Sequence, residues 1–464
     1  MACAFLTVVT CATVATGAGA QKQDPDRQFK SAVAQYEAGN YPQAAAELEK
    51  LVREVPNSFE VQELLGLVYA AQSENDKANQ HLEQAVRLKP DSATAHTNLG
   101  NSLLRLGQFD LAEQQFKRAA TLDPQDYEAN HNLGELYARS NKLAEAIPFL
   151  ERAQQINPTS YDNGYDLSLA YLFAGRFQDA RQLIQDLAKK KNTAELHNLL
   201  GQVEEKDGNF VAAANEFQGA AHIDPSESNL FDWGSELLLH RTLEPAIEVF
   251  RQGTKRYPDS SRMAIGLGMA LYSLGKYDEA VESLLRAADL NPSDPRGYPF
   301  LSAAFDSSPS QAEKVIERFR RFAELQPKNG QAVYYYAMSL WKGKRSQDPN
   351  LDLKQIETLL KKAMALEPAL PAAHLQLGNL YADQRKYPEA IPEYLRAREL
   401  SPHLADVHYR LAQAYVRVGE KDLAQEEFKV YQQLEAQHLT DLDKQRAEIR
   451  QFVYSEKPGG EAKP

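Results

Sequence analysis

Apolar and small residues recur along this chain with a period of 34 residues. One copy of the pattern contains Leu99-Gly100, Ala112, Phe116 and Pro124. Within a copy, large apolar residues follow one another at spacings of three, four and seven, which is the periodicity of one face of an α-helix. The pattern returns from Leu65 to Pro90, from Leu133 to Pro158, from Leu267 to Pro292 and from Leu377 to Pro402.

Each copy predicts two antiparallel helices joined by a tight turn. Counting from the start of a copy, large apolar residues at positions 4, 7, 11, 17 and 24 fill the contact between the helices. Small residues at positions 8 and 20 let the two helices approach closely. Glycine near position 15 suits the end of the first helix, and proline at position 32 ends the second.

Twelve consecutive copies account for most of the chain. Because one helix pair cannot bury its own apolar face, each copy needs the next as a neighbour. A chain of 464 residues also exceeds the ~250–300 residues that one core serves, which favours an extended stack. The copies span 25–58, 59–92, 93–126, 127–160, 161–193, 194–226, 227–260, 261–294, 295–329, 330–370, 371–404 and 405–438.

These residues resemble the consensus of the tetratricopeptide-repeat (TPR) family over nearly all of 21–438. The resemblance implies an all-α, right-handed superhelical solenoid of about twelve helix-turn-helix units. The pattern is irregular over 295–370, where Pro299 falls early in a first helix and an insertion spans 342–350, so we expect an altered twist or a hinge. An amphipathic stripe over 439–454 predicts a C-terminal capping helix, and the polar tail 455–464 is expected to be disordered.

The first 20 residues predict a signal peptide. Residues 4–16 are apolar or small, and Ala18-Gly19-Ala20 forms a cleavage pattern before an abruptly polar stretch. We therefore expect export to a bacterial periplasm or the exterior, with a cytoplasmic location as the alternative if the leader does not function. Cys11 raises the further possibility of a lipid anchor. The stretch is too short for a transmembrane helix, and the mature chain is expected to have none.

The residue types and motifs of the chain argue against catalysis. The chain lacks metalloprotease, phosphate-loop, nucleophile-elbow and paired-cysteine motifs, and the repeats leave no segment for a catalytic domain. We therefore expect no enzyme activity, cofactor, metal or small-molecule substrate. A net charge of −12 disfavours nucleic acid as a partner. Four histidines share position 4 of their copies, which indicates packing or surface placement: His96, His197, His374 and His408.

The binding surface is expected on the first helices, at positions 5, 6, 9, 12 and 13, which we call the groove positions. Asparagines and arginines there can hold a peptide backbone or a carboxylate, and exposed aromatic groups can anchor side chains. Alternatively, the polar groups form a solvated face and several apolar ones pack on the neighbouring helix. The candidate partner-binding residues are Asn98, Asn101, Arg105, Asn132, Arg139, Tyr165, Leu169, Phe173, Met269, Tyr272, Tyr334 and Trp341.

The function implied by the resemblance is a non-enzymatic scaffold for protein–protein interaction. It would bind extended polypeptide segments in the concave groove, in envelope assembly or secretion. The alternative is a regulatory or targeting subunit of an enzyme on a separate chain. One stoichiometric partner with catalytic activity would indicate the second; many substoichiometric clients would indicate a holder of unfolded chains.

Overall fold

A computed structural model describes residues 24–345 and 352–437 of the chain, with side chains described up to Gly343 before the gap. Every regular element within those ranges is helical. The predicted leader over 1–20, Cys11, the capping helix over 439–454, the tail over 455–464 and most of the insertion lie outside the described residues. No helix within the described ranges combines the length and apolarity needed to cross a membrane.

The chain divides into two compact units, Met1–Leu187 and Ala188–Pro464. The first contains five helix pairs, in which consecutive helices pack antiparallel as the apolar pattern predicts. Their bounds are α1 Pro25–Glu37, α2 Tyr41–Glu54, α3 Phe59–Ala71, α4 Asn75–Leu88, α5 Ala93–Arg105, α6 Phe109–Leu122, α7 Tyr127–Arg139, α8 Leu143–Ile156, α9 Tyr161–Phe173 and α10 Phe177–Lys190.

The second unit contains the remaining helix pairs. Within each unit the pairs follow one another in sequence, so the fold is the all-α TPR solenoid that the sequence predicts. The bounds are α11 Ala194–Lys206, α12 Phe210–Ile223, α13 Glu227–Leu239, α14 Leu243–Arg256, α15 Ser261–Ser273, α16 Tyr277–Leu290, α17 Tyr298–Ser307, α18 Ala312–Leu325, α19 Gly330–Arg345, α20 Leu353–Leu366, α21 Pro371–Asp383, α22 Tyr387–Leu400, α23 Ala405–Val418 and α24, described over 421–437.

Small residues at position 8 bring the two helices of a pair together. A Cβ atom added to Gly100 would lie 2.5 Å from the ring of Phe116, and one added to Gly378 would lie 2.5 Å from the ring of Tyr394. Both rings are fully buried. Each ring thus occupies space that a side chain on the first helix would otherwise fill, which explains the pairing of position 8 with position 24.

Position 15 takes the left-handed backbone conformation in ten repeats. Six of these residues are glycines, including Gly275 with φ of 83°, and four are not, including Asn141 with φ of 56°. The turn brings the chain back for the second helix, and an L-residue there costs roughly 1–2 kcal/mol. The sequence predicts the glycine turns but not Ser73, Asn141, Arg241 and Arg385, which adopt the same conformation.

Replacing Gly275 tests this turn. We expect Gly275→Val to lower the local stability of the eighth repeat by about 1–2 kcal/mol, because a β-branched residue is strained at positive φ. Gly275→Asn should cost less, since asparagine tolerates this conformation and occupies it at position 141. Hydrogen exchange over the eighth repeat, 261–294, compares the two variants. Equal losses would contradict the conformational explanation, because the position is open and neither side chain meets a neighbour.

The ninth repeat departs from the pattern around an aromatic cluster. A 3₁₀ turn, Pro295–Gly297, precedes α17, which has only 10 residues. The ring of Tyr298 stacks on Phe322 at 3.9 Å between centroids and lies 5.7 Å from Phe319. All three rings are buried inside the repeat. A hinge over 295–370 stays a prediction.

Candidate functional site

A column of asparagines connects the first helices of repeats two, three and four. Asn98 Nδ2 donates to Glu63 Oε1 at 3.2 Å, and Asn132 Nδ2 donates to Asn101 Oδ1 at 2.8 Å. All three amides are half-buried. Burial raises the pKa of the Glu63 carboxyl, while the bond from Asn98 lowers it. The column thus links successive repeats and leaves part of each amide facing solvent.

Both candidate arginines are exposed and already have partners. Arg105 Nη1 donates to the carbonyl oxygen of Ala70 at 2.6 Å, one repeat earlier. Arg139 pairs with Glu135 at 2.5 Å, one helical turn away. An exposed ion pair at this spacing contributes only ~0.3–0.5 kcal/mol, so a carboxylate on a partner can displace Glu135. The two guanidinium groups lie on the same face as the asparagine column.

The first helix of the fifth repeat ends in an exposed aromatic side chain. Phe173, at position 13, has 66% of its side chain exposed. Tyr165 and Leu169 are half-buried on the same helix, and the ring of Tyr165 stacks with Tyr161 at 6.4 Å between centroids. Spacings of four residues place Tyr165, Leu169 and Phe173 along one face of α9.

Three other candidates pack more closely than expected. Met269 packs on a cluster with Ile265, and Tyr272 contacts Phe300 edge to face at 6.3 Å. Burial raises the pKa of Tyr334, and its ring lies 5.6 Å from that of Tyr335. These three side chains are half-buried, so part of each one remains exposed to solvent.

The expectation that Trp341 faces a groove is wrong. Its side chain is only 5% exposed and packs with Ile356, Leu360 and Leu377. The helix that carries it, α19, runs to Arg345, so position 12 lies well inside the helix instead of at its end. The helices before and after it in the stack then cover the indole. Trp341 is therefore part of the core.

The histidines at position 4 connect the two helices of their own repeats. In four repeats the Nδ1 atom lies 2.5–2.7 Å from a Glu or Gln oxygen 19 residues later. His408 also has Nε2 2.9 Å from the carbonyl oxygen of Pro402, while its partner Glu427 accepts a bond from Arg398. The contacts agree with the predicted packing role. No group of three metal-ligating side chains comes together within the described ranges.

An acidic cleft in the second unit was not predicted. It opens between α11, α12 and α13, has a volume of about 160 Å³, and places three carboxylates and no cation in its walls. Asp232 Oδ2 accepts from Asn198 Nδ2 at 2.8 Å, and Asn198 in turn accepts from Gln202. The lining residues are Gln202, Glu205, Phe217, Asp232, Ser235, Glu236 and Leu239.

Glu236 is the unusual member of this cleft. Its side chain is 2% exposed, and its Oε1 has no hydrogen-bond partner. His240 Nε2 lies 3.3 Å from that oxygen without forming a hydrogen bond. Burial, and secondarily the charge of Glu205, raise the pKa of Glu236 to about 7, whereas burial lowers that of His240.

The sequence does hold a signal for Glu236. Position 10 is buried in most repeats and carries an apolar or small residue there, so a carboxyl group stands out. The corresponding buried residues are Val68, Ser102, Leu136, Ala170, Val203, Ala270, Ala304, Ser339, Leu380 and Ala414.

Comparisons with known families agree with the repeat architecture. Models described as tetratricopeptide repeat match residues 28–58, 97–161, 137–203 and 231–295, and one described as TPR repeat matches 66–107 and 378–419. The helix pairs and these matches define the chain as a helical repeat protein. It belongs to the tetratricopeptide-repeat family, whose stacked helices build protein-interaction scaffolds.

Individual relatives are distant. Protein O-mannosyl-transferase TMTC3 of Homo sapiens is 24% identical over 209 residues, which are 45% of this chain and 20% of that protein. The chain thus matches about a fifth of the length of this curated relative. Among solved structures, yeast Tom70 is 15% identical over 94% of this chain and 98% of its own, with a TM-score of 0.38. YrrB, described as a TPR protein with an unusual peptide-binding site, is 17% identical over 39% and 94%, with a TM-score of 0.38.

Proposed function

We propose that this protein is a non-enzymatic scaffold that binds extended polypeptide segments along the groove positions of its first helices. The observation that carries the proposal is the exposure of large apolar side chains at position 13. Phe173 in the first unit and Leu239 in the second are 66% and 67% exposed, the highest values among the large apolar residues of the described ranges. Exposed apolar groups at position 13, together with half-buried amides at positions 6 and 9, suit an extended peptide.

The column of asparagines complements these apolar side chains with hydrogen-bonding groups. An extended segment has unpaired N–H and C=O groups along its length, and an amide side chain can satisfy either kind. Asn98, Asn101 and Asn132 present such amides on successive helices. Apolar anchors then select side chains, while the amides hold the backbone whatever its sequence.

We further propose that the scaffold works in the cell envelope, in assembly or secretion. The support is the apolar segment and the Ala18-Gly19-Ala20 pattern at the start of the sequence. Proteins of the TPR family typically bind other proteins and have no catalytic activity of their own. A regulatory or targeting subunit of a separate enzyme uses the same surface and differs in having one stoichiometric, catalytically active partner.

Tagged co-purification from the native cell, followed by mass spectrometry, tests the proposal. The double variant Phe173→Ser/Leu239→Ser should lose specific partners because it removes the exposed anchors. The matched control is Phe109→Ser/Leu325→Ser, which removes side chains that are 58% and 51% exposed at positions outside the groove set. Circular dichroism should show unchanged helicity in both. Partners that persist in the first variant, or that are lost equally from both, would contradict the proposal.

A further inference from the structure

The acidic cleft contains a buried carboxyl group, that of Glu236, whose Oε1 lies 3.3 Å from His240 Nε2 one helical turn away. Glu236 is buried at a position where other repeats place an apolar or small side chain, and its Oε1 has no hydrogen-bond partner. A buried polar atom without a hydrogen-bond partner destabilises the folded protein. Alanine at the same position is buried without difficulty in the fifth and eighth repeats, at Ala170 and Ala270. The carboxyl group is thus better explained by a ligand than by packing.

The walls of the cleft are suited to a cation. Glu205 and Asp232 stand with Glu236 in its lining, and none of the lining residues is basic. The nearest ion pair of Glu205 is with Lys206 at 3.9 Å, and that lysine is largely exposed. Asp232 has one oxygen bonded to Asn198, which holds its carboxylate in place. Three carboxylates around one opening favour a positive group over a neutral or negative one.

The size of the cleft limits which cationic group it can hold. An apolar cavity of about 150 Å³ can hold a ring the size of benzene, and this cleft measures about 160 Å³. A guanidinium group is planar and of comparable breadth, and its several N–H donors can reach more than one carboxylate. Phe217 and Leu239 supply apolar surface for the methylene stem that carries the guanidinium.

We propose that this cleft binds an arginine side chain of the extended polypeptide held at the groove positions. The inference rests on the proposed function and adds a specificity to it. The lining residues occupy groove positions of repeats six and seven: Gln202 and Ser235 at position 9, Glu205 at position 12, Asp232 at position 6 and Leu239 at position 13. An arginine entering here places its guanidinium against Glu236 and leaves its backbone beside the first helices.

Peptide pools with one fixed central residue test the inference on the full chain. Four pools of otherwise random nine-residue peptides would carry arginine, lysine, glutamine or citrulline, the neutral isostere of arginine, at the centre. We expect the wild type to retain arginine-centred peptides roughly tenfold better than citrulline-centred ones, since a hydrogen bond to a charged group contributes ~1.5–3 kcal/mol. Glu236→Gln should reduce that ratio severalfold while the citrulline pool binds as before, because Glu205 and Asp232 remain in the cleft.

A control variant separates the cleft from general charge effects. Glu195→Gln removes one carboxylate from the exposed first turn of α11, away from the cleft lining, and should keep the preference for arginine. Thermal unfolding should show that Glu236→Gln remains folded. An undiminished preference in Glu236→Gln, or an equal retention of lysine-centred peptides, would overturn the arginine assignment alone. If no pool binds the wild type, the proposed peptide-binding function fails, and the arginine site fails with it.

Discussion

Phe250→Ala is expected to destabilise the second unit by about 3–5 kcal/mol. Phe250 on α14 is fully buried, and its ring lies between two glycines of neighbouring first helices. A Cβ atom on Gly234 would approach the ring within 2.9 Å, and one on Gly266 would come closer still. Because two backbones line the ring, neither can move far enough to fill the space it leaves. A large cavity should therefore remain.

Hydrogen exchange is the appropriate measurement, because long repeat arrays unfold in parts and a single free energy is then poorly defined. Exchange in Phe250→Ala should rise first over 227–294, the two repeats that touch the ring. Leu325→Ala, at a half-exposed position of the same unit, should change protection little. A uniform loss of protection across the second unit would contradict the expectation that each repeat is stabilised mainly by contacts with its immediate neighbours.

The second unit is also expected to lose stability as pH rises from about 4.5 to about 7. The pKa of Glu236 is raised from 4.5 to about 7 in the folded protein, by burial first and by Glu205 second. In that interval the unfolded chain releases the proton while the folded chain keeps it, so rising pH favours unfolding. The loss is complete above pH 7 and amounts to about 3 kcal/mol at most.

Glu236→Gln isolates this effect. His240 lies 3.3 Å away and its pKa is lowered by burial, so it contributes the opposite trend as pH falls below its ordinary value of 6.5. Glu205, Asp232 and Lys206 also lie around the cleft and remain in both proteins. The wild type should fall below the variant in thermal stability as pH rises through the interval. Parallel curves would show that the burial of Glu236 carries no charge penalty.

The repeat pattern predicts most of the fold because its information is local. Three features act within one helix pair: the helix periodicity, the small residue at position 8 and the turn residue at position 15. A single repeat of 34 residues is therefore enough to predict the helix pair. Trp341 shows where this fails. Its burial depends on the extension of α19 to Arg345 and on side chains of α20 and α21, which no single repeat contains.

The candidate site is harder to predict from the sequence, because its hydrogen bonds and its cleft are formed by residues of adjacent repeats. The asparagines can be placed on first helices from their positions, but the bond from Asn132 to Asn101 depends on how adjacent repeats stack. The acidic cleft similarly combines Glu205 of one repeat with Asp232 and Glu236 of the next. The sequence could have indicated only Glu236, because its carboxyl group falls at position 10, which is otherwise apolar or small where it is buried.

Site-specific photo-cross-linking in the native cell tests most directly whether the groove positions bind polypeptides. A photoreactive phenylalanine analogue would replace Phe173 or Leu239 in turn, with Phe109 and Leu325 as matched exposed positions elsewhere. The account predicts cross-links from Phe173 and Leu239 to the same partner proteins, and none to those partners from the two control positions. Cross-links to those partners from Phe109 and Leu325 alone would contradict the account and place binding on the other face of the helix pairs.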